Sequence, residues 1–347
     1  MFLMKIWIDI TNAPHVMFFK DIIKYFKDQG EDVIVTTRDF GDIHRLMETH
    51  GIDFISVGKH GGLGLYKKLK ESTNRVNEIV DIIAPEKIDV CLAKHSVELP
   101  RVSFGLNIPN VYIIDNEYAE AVNKMTLPLC DRIIAPSVID VRKLMRYGVD
   151  PNKIISYDGT SELLHFKNFE YNEKIFDDLD IKLDLNKTIL MRPEPSLASY
   201  LDVDSEKSVL SPIIDVLKDY ANILVLPRFK QQADIFEGIN NVSILEPPID
   251  LSSVIKQCDL VIGAGGTINR ESAVLKTPVI SCYPGETLAV DQYYINRGLM
   301  FKYNNVEDIV NSALSFLVVD KENNDYNEYD VSSNNLFKTI IDCTYRL

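Results

Sequence analysis

Leu260-Val261-Ile262-Gly263-Ala264-Gly265-Gly266-Thr267-Ile268-Asn269-Arg270-Glu271-Ser272-Ala273-Val274-Leu275-Lys276-Thr277-Pro278-Val279-Ile280-Ser281-Cys282-Tyr283-Pro284 is the stretch whose reading decides the fold. An apolar run ends in a small-residue turn, a helix-forming segment follows, and Thr277-Pro278 stops it before a second apolar run. Strand, helix and strand within about 25 residues form the smallest unit of a parallel sheet. Gly263, Gly265 and Gly266 keep the turn free of Cβ atoms, so backbone N–H groups can come close to a ligand. Thr267 is placed to cap the helix, whose unpaired N–H groups and partial positive charge favour an anion. A glycine cluster by itself suits a tight packing turn equally well. Glu271 is the feature that separates the two readings. It lies one helical turn past Thr267 on the same face, where a carboxylate accepts two sugar hydroxyls while the N–H groups hold phosphate. Diphosphate plus ribose predicts a nucleotide.

The neighbouring units repeat the pattern. Thr188 to Met191 predicts a strand that ends in Arg192-Pro193-Glu194-Pro195-Ser196, and Ile223 to Leu226 one that ends in Pro227-Arg228-Phe229-Lys230. Two prolines in three positions hold the first of these loops rigid. The planar guanidinium of Arg192 suits a diphosphate, with a salt bridge to Glu194 as its alternative use; Arg228 offers a second such group. Beyond the quoted stretch, Tyr283-Pro284-Gly285-Glu286 ends the next strand, and a helix from about Ala289 and a strand at Leu299 to Phe301 follow.

The first half also alternates strands and helices. Strands are predicted at 5–10, 32–37, 52–57, 90–93, 111–114 and 132–135, with amphipathic helices between them. No GxGxxG follows the first strand, so a dinucleotide fingerprint is absent there. The first turn instead offers Asp9, Asn12 and His15. His15 has two readings, a general base near neutrality or a ring that only supports the helix start. Lys94, His95 and Ser96 end one strand, and Asp115, Asn116 and Glu117 end the next. Cation, imidazole and carboxylates delivered side by side are a source of acid and base groups. Asp115 also has ordinary turn chemistry open to it. Gly58 to Lys68 is glycine-rich and basic, and reads either as a mobile lid or as a plain surface connection.

These motifs carry a resemblance. The glycine turn with its helix glutamate resembles the C-terminal nucleotide-sugar site of the GT-B superfamily, as in UDP-N-acetylglucosamine 2-epimerase and the MurG-type glycosyltransferases. Ile6-Trp7-Ile8-Asp9-Ile10-Thr11-Asn12-Ala13-Pro14-His15, Asp115-Asn116-Glu117 and Arg192-Pro193-Glu194-Pro195 resemble a largely archaeal GT-B-like family classed as a domain of unknown function, over nearly the full length. The resemblance implies an α/β GT-B fold, two Rossmann-like domains with parallel sheets facing across a cleft. It implies Gly265, Gly266 and Thr267 on the diphosphate, Glu271 on the ribose, Arg192 or Arg228 on the phosphate charge, and Glu286 near the donor sugar. His15 or Glu117 would take an acceptor proton. The implied ligand is a nucleotide-diphosphate sugar, a UDP-sugar by preference, handled without metal or other cofactor.

The sequence departs from the epimerase at two places. A carboxylate at the first of two strand ends has become His95 or Ser96, and the catalytic His expected at the strand end before Pro193 is missing. Sugar transfer is therefore expected ahead of 2-epimerisation, for which Glu117 and His95 would be the pair; a binding protein without turnover is the third class.

Composition bounds the rest. A chain of 347 residues with 46% hydrophobic residues supports two cores. The domains are expected at 1–160 and 186–318, with a linker at 161–185 and a tail with a helix at 319–347 that by analogy crosses back to the first domain. A formal charge of −14 argues against a nucleic-acid partner. Five scattered cysteines without CxxC spacing predict buried thiols in a reducing compartment. Met1-Phe2-Leu3-Met4-Lys5 leads directly into a strand and no apolar run spans a bilayer, so a cytoplasmic chain without an integral membrane segment is expected. The sequence specifies no oligomeric state.

Overall fold

The computed structural model describes residues 3–62, 64–194, 208–247, 249–319 and 328–347, without the side chains of 328–334. Pro195, Ser196, Leu63 and the acidic 320–327 stretch lie outside the described residues. The chain divides into two compact units: Met1–Lys167 with Leu288–Val290 and Asp330–Leu347, and Asn168–Thr287 with Asp291–Tyr329.

The first unit is built on seven parallel strands among the described residues. They are β1 (Lys5–Ile10), β2 (Asp32–Asp39), β3 (Ile55–Lys59), β4 (Val90–Lys94), β5 (Asn110–Ile113), β6 (Arg132–Pro136) and β7 (Ile154–Tyr157), in the order β3-β2-β1-β4-β5-β6-β7. β7 is absent from the sequence reading, where 154–157 fell between the last expected strand and the expected linker. Its pattern is half-buried, half-buried, exposed, buried, the mark of an edge strand with no continuous apolar run.

Side-chain alternation assigns the two faces of this sheet. Ile6, Ile8 and Ile10 of β1 pack with the helix Ala13–Asp28 and with Leu336, Ile340 and Ile341 of the last helix. Trp7 points to the opposite face, with Ile79 and Ile83 of the helix Leu65–Ile83. Pro14 in the first turn of Ala13–Asp28 suits a position whose N–H has no partner within the helix. The last helix is tied to this unit again where the Tyr345 hydroxyl meets Glu31 Oε1 at 3.1 Å.

The second unit carries six parallel strands among the described residues. They are β8 (Thr188–Arg192), β9 (Asn222–Val225), β10 (Val242–Ile244), β11 (Leu260–Gly263), β12 (Val279–Ser281) and β13 (Met300–Lys302), in the order β10-β9-β8-β11-β12-β13. Among the described residues every strand pairing in both sheets is parallel, as expected when strands are joined by crossover connections. The order reverses between β1 and β4 in the first sheet and between β8 and β11 in the second. Neighbouring connections diverge to opposite faces there, leaving a crevice at the carboxyl ends of the strands where open α/β sheets bind ligands.

Candidate functional site

In the second unit the residues at the crevice come from β8, β9 and β11. The helix Gly266–Val274 starts directly after the turn, with Gly265 at its N-cap and no side-chain cap bond. Thr267 is thus the second residue of the helix and does not cap it, a correction to the sequence reading. Short residues are required by what approaches them. A Cβ on Gly265 would overlap the Nη2 of Arg228, and one on Gly266 would lie 2.7 Å from the Nη1 of Arg270. Asn269, a residue without a role in the sequence reading, donates from Nδ2 to the Gly263 carbonyl at 3.0 Å and fastens the end of β11 to the helix. Glu271 and Thr267 are both half-buried.

Arg228 is held in place by backbone. Its Nε donates to the Pro193 carbonyl at 3.1 Å, and its own N–H donates to Gln232 Oε1. Gln232 is fully buried and donates in turn to the Glu194 carbonyl. Burial pushes the Arg228 guanidinium below its usual value, with Glu194 opposing. An anion near it would offset that desolvation.

Arg192 does something else. Its Nη1 donates to the carbonyls of Leu226 and Pro227, each at 2.7 Å. The group that the sequence assigned to a phosphate braces the turn that presents Arg228. Glu194, offered as its salt-bridge partner, accepts from Ser208 Oγ at 2.9 Å. Arg270 is buried and pairs with Asp291 at 3.0 Å. Glu286 is exposed on a loop fixed by Lys302, whose Nζ donates to the Gly285 carbonyl and to Thr287 Oγ1.

In the first unit the crevice lies between β1 and β4. Asp9 alternates to the same face as Trp7, so its carboxylate turns under the helix Leu65–Ile83 and is fully buried. Arg75 meets it there at 2.6 and 3.0 Å, and Ser96 Oγ and Thr36 Oγ1 also donate to it. Arg75 also pairs with Glu98 at 3.2 Å. Burial raises the Asp9 pKa, but the charge and hydrogen bonds of Arg75, with those of Ser96 and Thr36, outweigh it, and the net direction is down. Asp9 is a structural anchor under the crevice; the sequence had set it at the edge, facing ligand.

Lys94 and Asp115 alternate to the other face, beside the helix Ala13–Asp28. Lys94 Nζ lies 2.6 Å from Asp115 Oδ2 and 5.1 Å above the Phe18 ring. Ser161 joins them, accepting from Lys94 at 2.8 Å and donating to Asp115 at 2.7 Å. His95 Nε2 is 2.8 Å from Asp115 Oδ1 and 3.3 Å from the Asp115 N–H. The shorter, charge-assisted contact assigns the proton to Nε2 and leaves Nδ1 as an acceptor. His95 holds a left-handed backbone, φ +53°, which a non-glycine residue adopts at a cost and which recurs at functional sites.

The His15 ring stacks on His95 with centroids 6.4 Å apart. Burial first, then the charge of Lys94, hold the His15 pKa well below 6.5 despite Asp115. Its Nδ1 is buried with no partner among the described residues. His15, His95 and Asp115, three of the four catalytic candidates, are therefore brought together. Glu117, the fourth, is fully buried with partners of its own. Its Oε1 accepts from the Ala289 N–H at 2.9 Å and from Lys143 Nζ at 3.2 Å. Lys94 is the cation that the sequence places at this strand end; Ser161, the missed member, follows from no local pattern, since it arrives from beyond β7.

The glycine-rich loop makes one close approach. A Cβ on Gly61 would come within 2.5 Å of Lys68 Cα, so the loop is packed against the helix it leads into.

Comparison with known proteins agrees with this architecture. Residues 4–346 match the family model described as Protein of unknown function (DUF354). The Uncharacterized protein MJ0665 of Methanocaldococcus jannaschii is 41% identical over 315 residues, covering 89% of this chain and 90% of that one. Among solved structures, UDP-GlcNAc 2-epimerase of Methanocaldococcus jannaschii in complex with UDP-GlcNAc and UDP is similar with TM-score 0.74 and 17% identity, covering 98% of this chain and all of that one. A glycosyltransferase from Rickettsia africae is similar with TM-score 0.59 and 15% identity, covering 99% and 94%. At such identities the structures share the fold: two Rossmann-like units of the GT-B type, as expected from the sequence.

Proposed function

The chain belongs to the DUF354 family, and we propose that it is a nucleotide-diphosphate-sugar enzyme whose preferred reaction is transfer of the sugar to an acceptor. One observation carries this reading: the Arg228 guanidinium lies against Gly265 at the mouth of the helix Gly266–Val274, beside the strand reversal of the second sheet. Backbone N–H groups and an always-charged fork at one point suit a diphosphate leaving group, whose charge grows as the glycosyl bond breaks. Glu271, one turn into the helix, is the proposed ribose contact. Two UDP-GlcNAc 2-epimerases of the same fold bind UDP-GlcNAc in their own structures, which supports the ligand class.

The acid and base work falls to the first unit. His95, with Nε2 held by Asp115, has the arrangement of an oriented general base. Lys94 and Ser161 fix Asp115 in turn. His15, held neutral, stacks beside it and offers a second imidazole. The same grouping favours one further reading, removal of a sugar C2 proton as in 2-epimerisation, with His95 replacing Glu117 as the base to test. All five cysteines are buried, as the sequence predicts. Among the described residues no helix is long and apolar enough to cross a membrane.

Incubation of the full chain with UDP-N-acetylglucosamine and related UDP-sugars, followed by NMR, tests the proposal. Transfer or slow hydrolysis releases UDP with the C2 configuration kept, whereas epimerisation inverts it. Failure of every nucleotide sugar in a thermal-shift panel to stabilise the protein overturns the reading.

A further inference from the structure

The helix Leu65–Ile83 is docked over part of its length only. Its buried side chains, Arg75, Ile79 and Ile83, follow one another at four-residue spacing and all lie in its second half. The opening turns instead carry Leu65, Tyr66 and Leu69 at 85, 75 and 65% exposure. Three large apolar side chains within five residues make a contiguous patch, unlike the single exposed apolar residues common on any surface.

The charge around this tip reverses that of the chain. Gly58 to Lys70 contains four lysines and no acid, in a protein with 51 acidic against 37 basic residues. Lys59, Lys67, Lys68 and Lys70 are all exposed, and Glu71, the first acid after them, is half-buried. The loop packs closely on the start of the helix. Gly61 fits directly against the backbone of Lys68, and the Lys68 N–H donates to the Gly64 carbonyl at 2.9 Å.

A chain of contacts joins the tip to the β1 crevice. His60 stacks on Phe40 at 4.2 Å, and Arg38 lies 5.3 Å from the same ring. Arg38 then donates to the Thr11 carbonyl and to Asn12 Oδ1, in the turn that leads into His15.

We propose that this tip docks the protein peripherally on an anionic lipid bilayer. Leu65, Tyr66 and Leu69 enter the headgroup and upper acyl region, while the lysines extend their stems and meet acidic headgroups. A second copy meeting the tip about a twofold axis would set lysine against lysine, so charge favours the lipid surface. The proposal stands apart from the nucleotide-sugar reading, since it uses none of the residues assigned to the ligand.

Flotation of the full chain with vesicles of phosphatidylcholine alone, and of phosphatidylcholine with phosphatidylglycerol, is the test. Binding is expected to the second kind only and to weaken with salt. Lys67→Glu and Lys68→Glu each lower the partition by about fivefold or more. Leu65→Ser with Leu69→Ser lowers it by about tenfold or more, with an unchanged thermal melt because both residues are exposed. Equal binding to both vesicle kinds, or none to either at low salt, overturns the proposal. So does a dimer in sedimentation equilibrium that Leu65→Glu dissociates, which would make a second copy the occupant.

Discussion

Arg228 occupies the space in front of Gly265, so that any Cβ at 265 would overlap its guanidinium. The two residues come from different strand ends and act as one unit. Gly265→Ala therefore displaces the arginine as well as crowding the turn. Arg228→Ala is expected to cost about 1.5–3 kcal/mol of nucleotide affinity, tenfold or more, for one charge-assisted contact. Calorimetry with UDP should find Gly265→Ala similar and the double variant little worse than either single one. Additive losses would separate the two residues.

His95 and Asp115 supply the second prediction. His95→Ala and Asp115→Asn should each lower turnover by about 10²–10⁴ while leaving the UDP dissociation constant in place. Retained turnover in both variants removes the base assigned to the first unit.

Glu117→Gln tests the change of role for that residue. Glutamine keeps an oxygen to accept from Ala289 N–H, so turnover should survive largely intact. Glu117→Ala leaves that N–H unpaired and should lower stability by about 1–3 kcal/mol in urea melts. Loss of activity in the Gln variant with an unchanged melt would return Glu117 to the acid-base group.

Arg75→Met strands two buried carboxylates, Asp9 and Glu98. Denaturant unfolding should show a loss of about 3–5 kcal/mol at neutral pH. The sign with pH follows from Asp9, whose folded pKa lies below its ordinary 3.8. Its stabilisation is present above that ordinary value and fades as pH falls through the folded one. The gap between wild type and Arg75→Met should accordingly narrow below about pH 4.

His15 gives a different pH signature. Its folded pKa is held well below 6.5, so the unfolded chain binds the extra proton first and stability falls as pH drops below 6.5. The wild-type curve should lose up to about 1.4 kcal/mol per pH unit there relative to His15→Asn, and match its slope above pH 7. Parallel curves through pH 5–6 would show that the ring protonates freely.

Much of the second unit was legible because its signals are local. The apolar run to Gly263, the glycines, and the Thr277-Pro278 stop are all contiguous, and the strand, turn and helix formed where they lie. The surroundings of Arg192 were not legible for the opposite reason. Its residue type suits a phosphate, but carbonyls at Leu226 and Pro227, 34 and 35 positions away, take up its Nη1.

By itself the sequence determined the alternation of strands and helices, the two-sheet class and the strand ends on which polar residues collect, since periodicity and turn chemistry act between near neighbours. Only the tertiary structure decided which partners those residues meet. Asp9 is closed off by Arg75, 66 positions on, and Glu117 by Ala289, 172 positions on. A buried charge needs its partner wherever the chain brings one, and that meeting is set by how the strands are ordered in the sheet and how helices cover it.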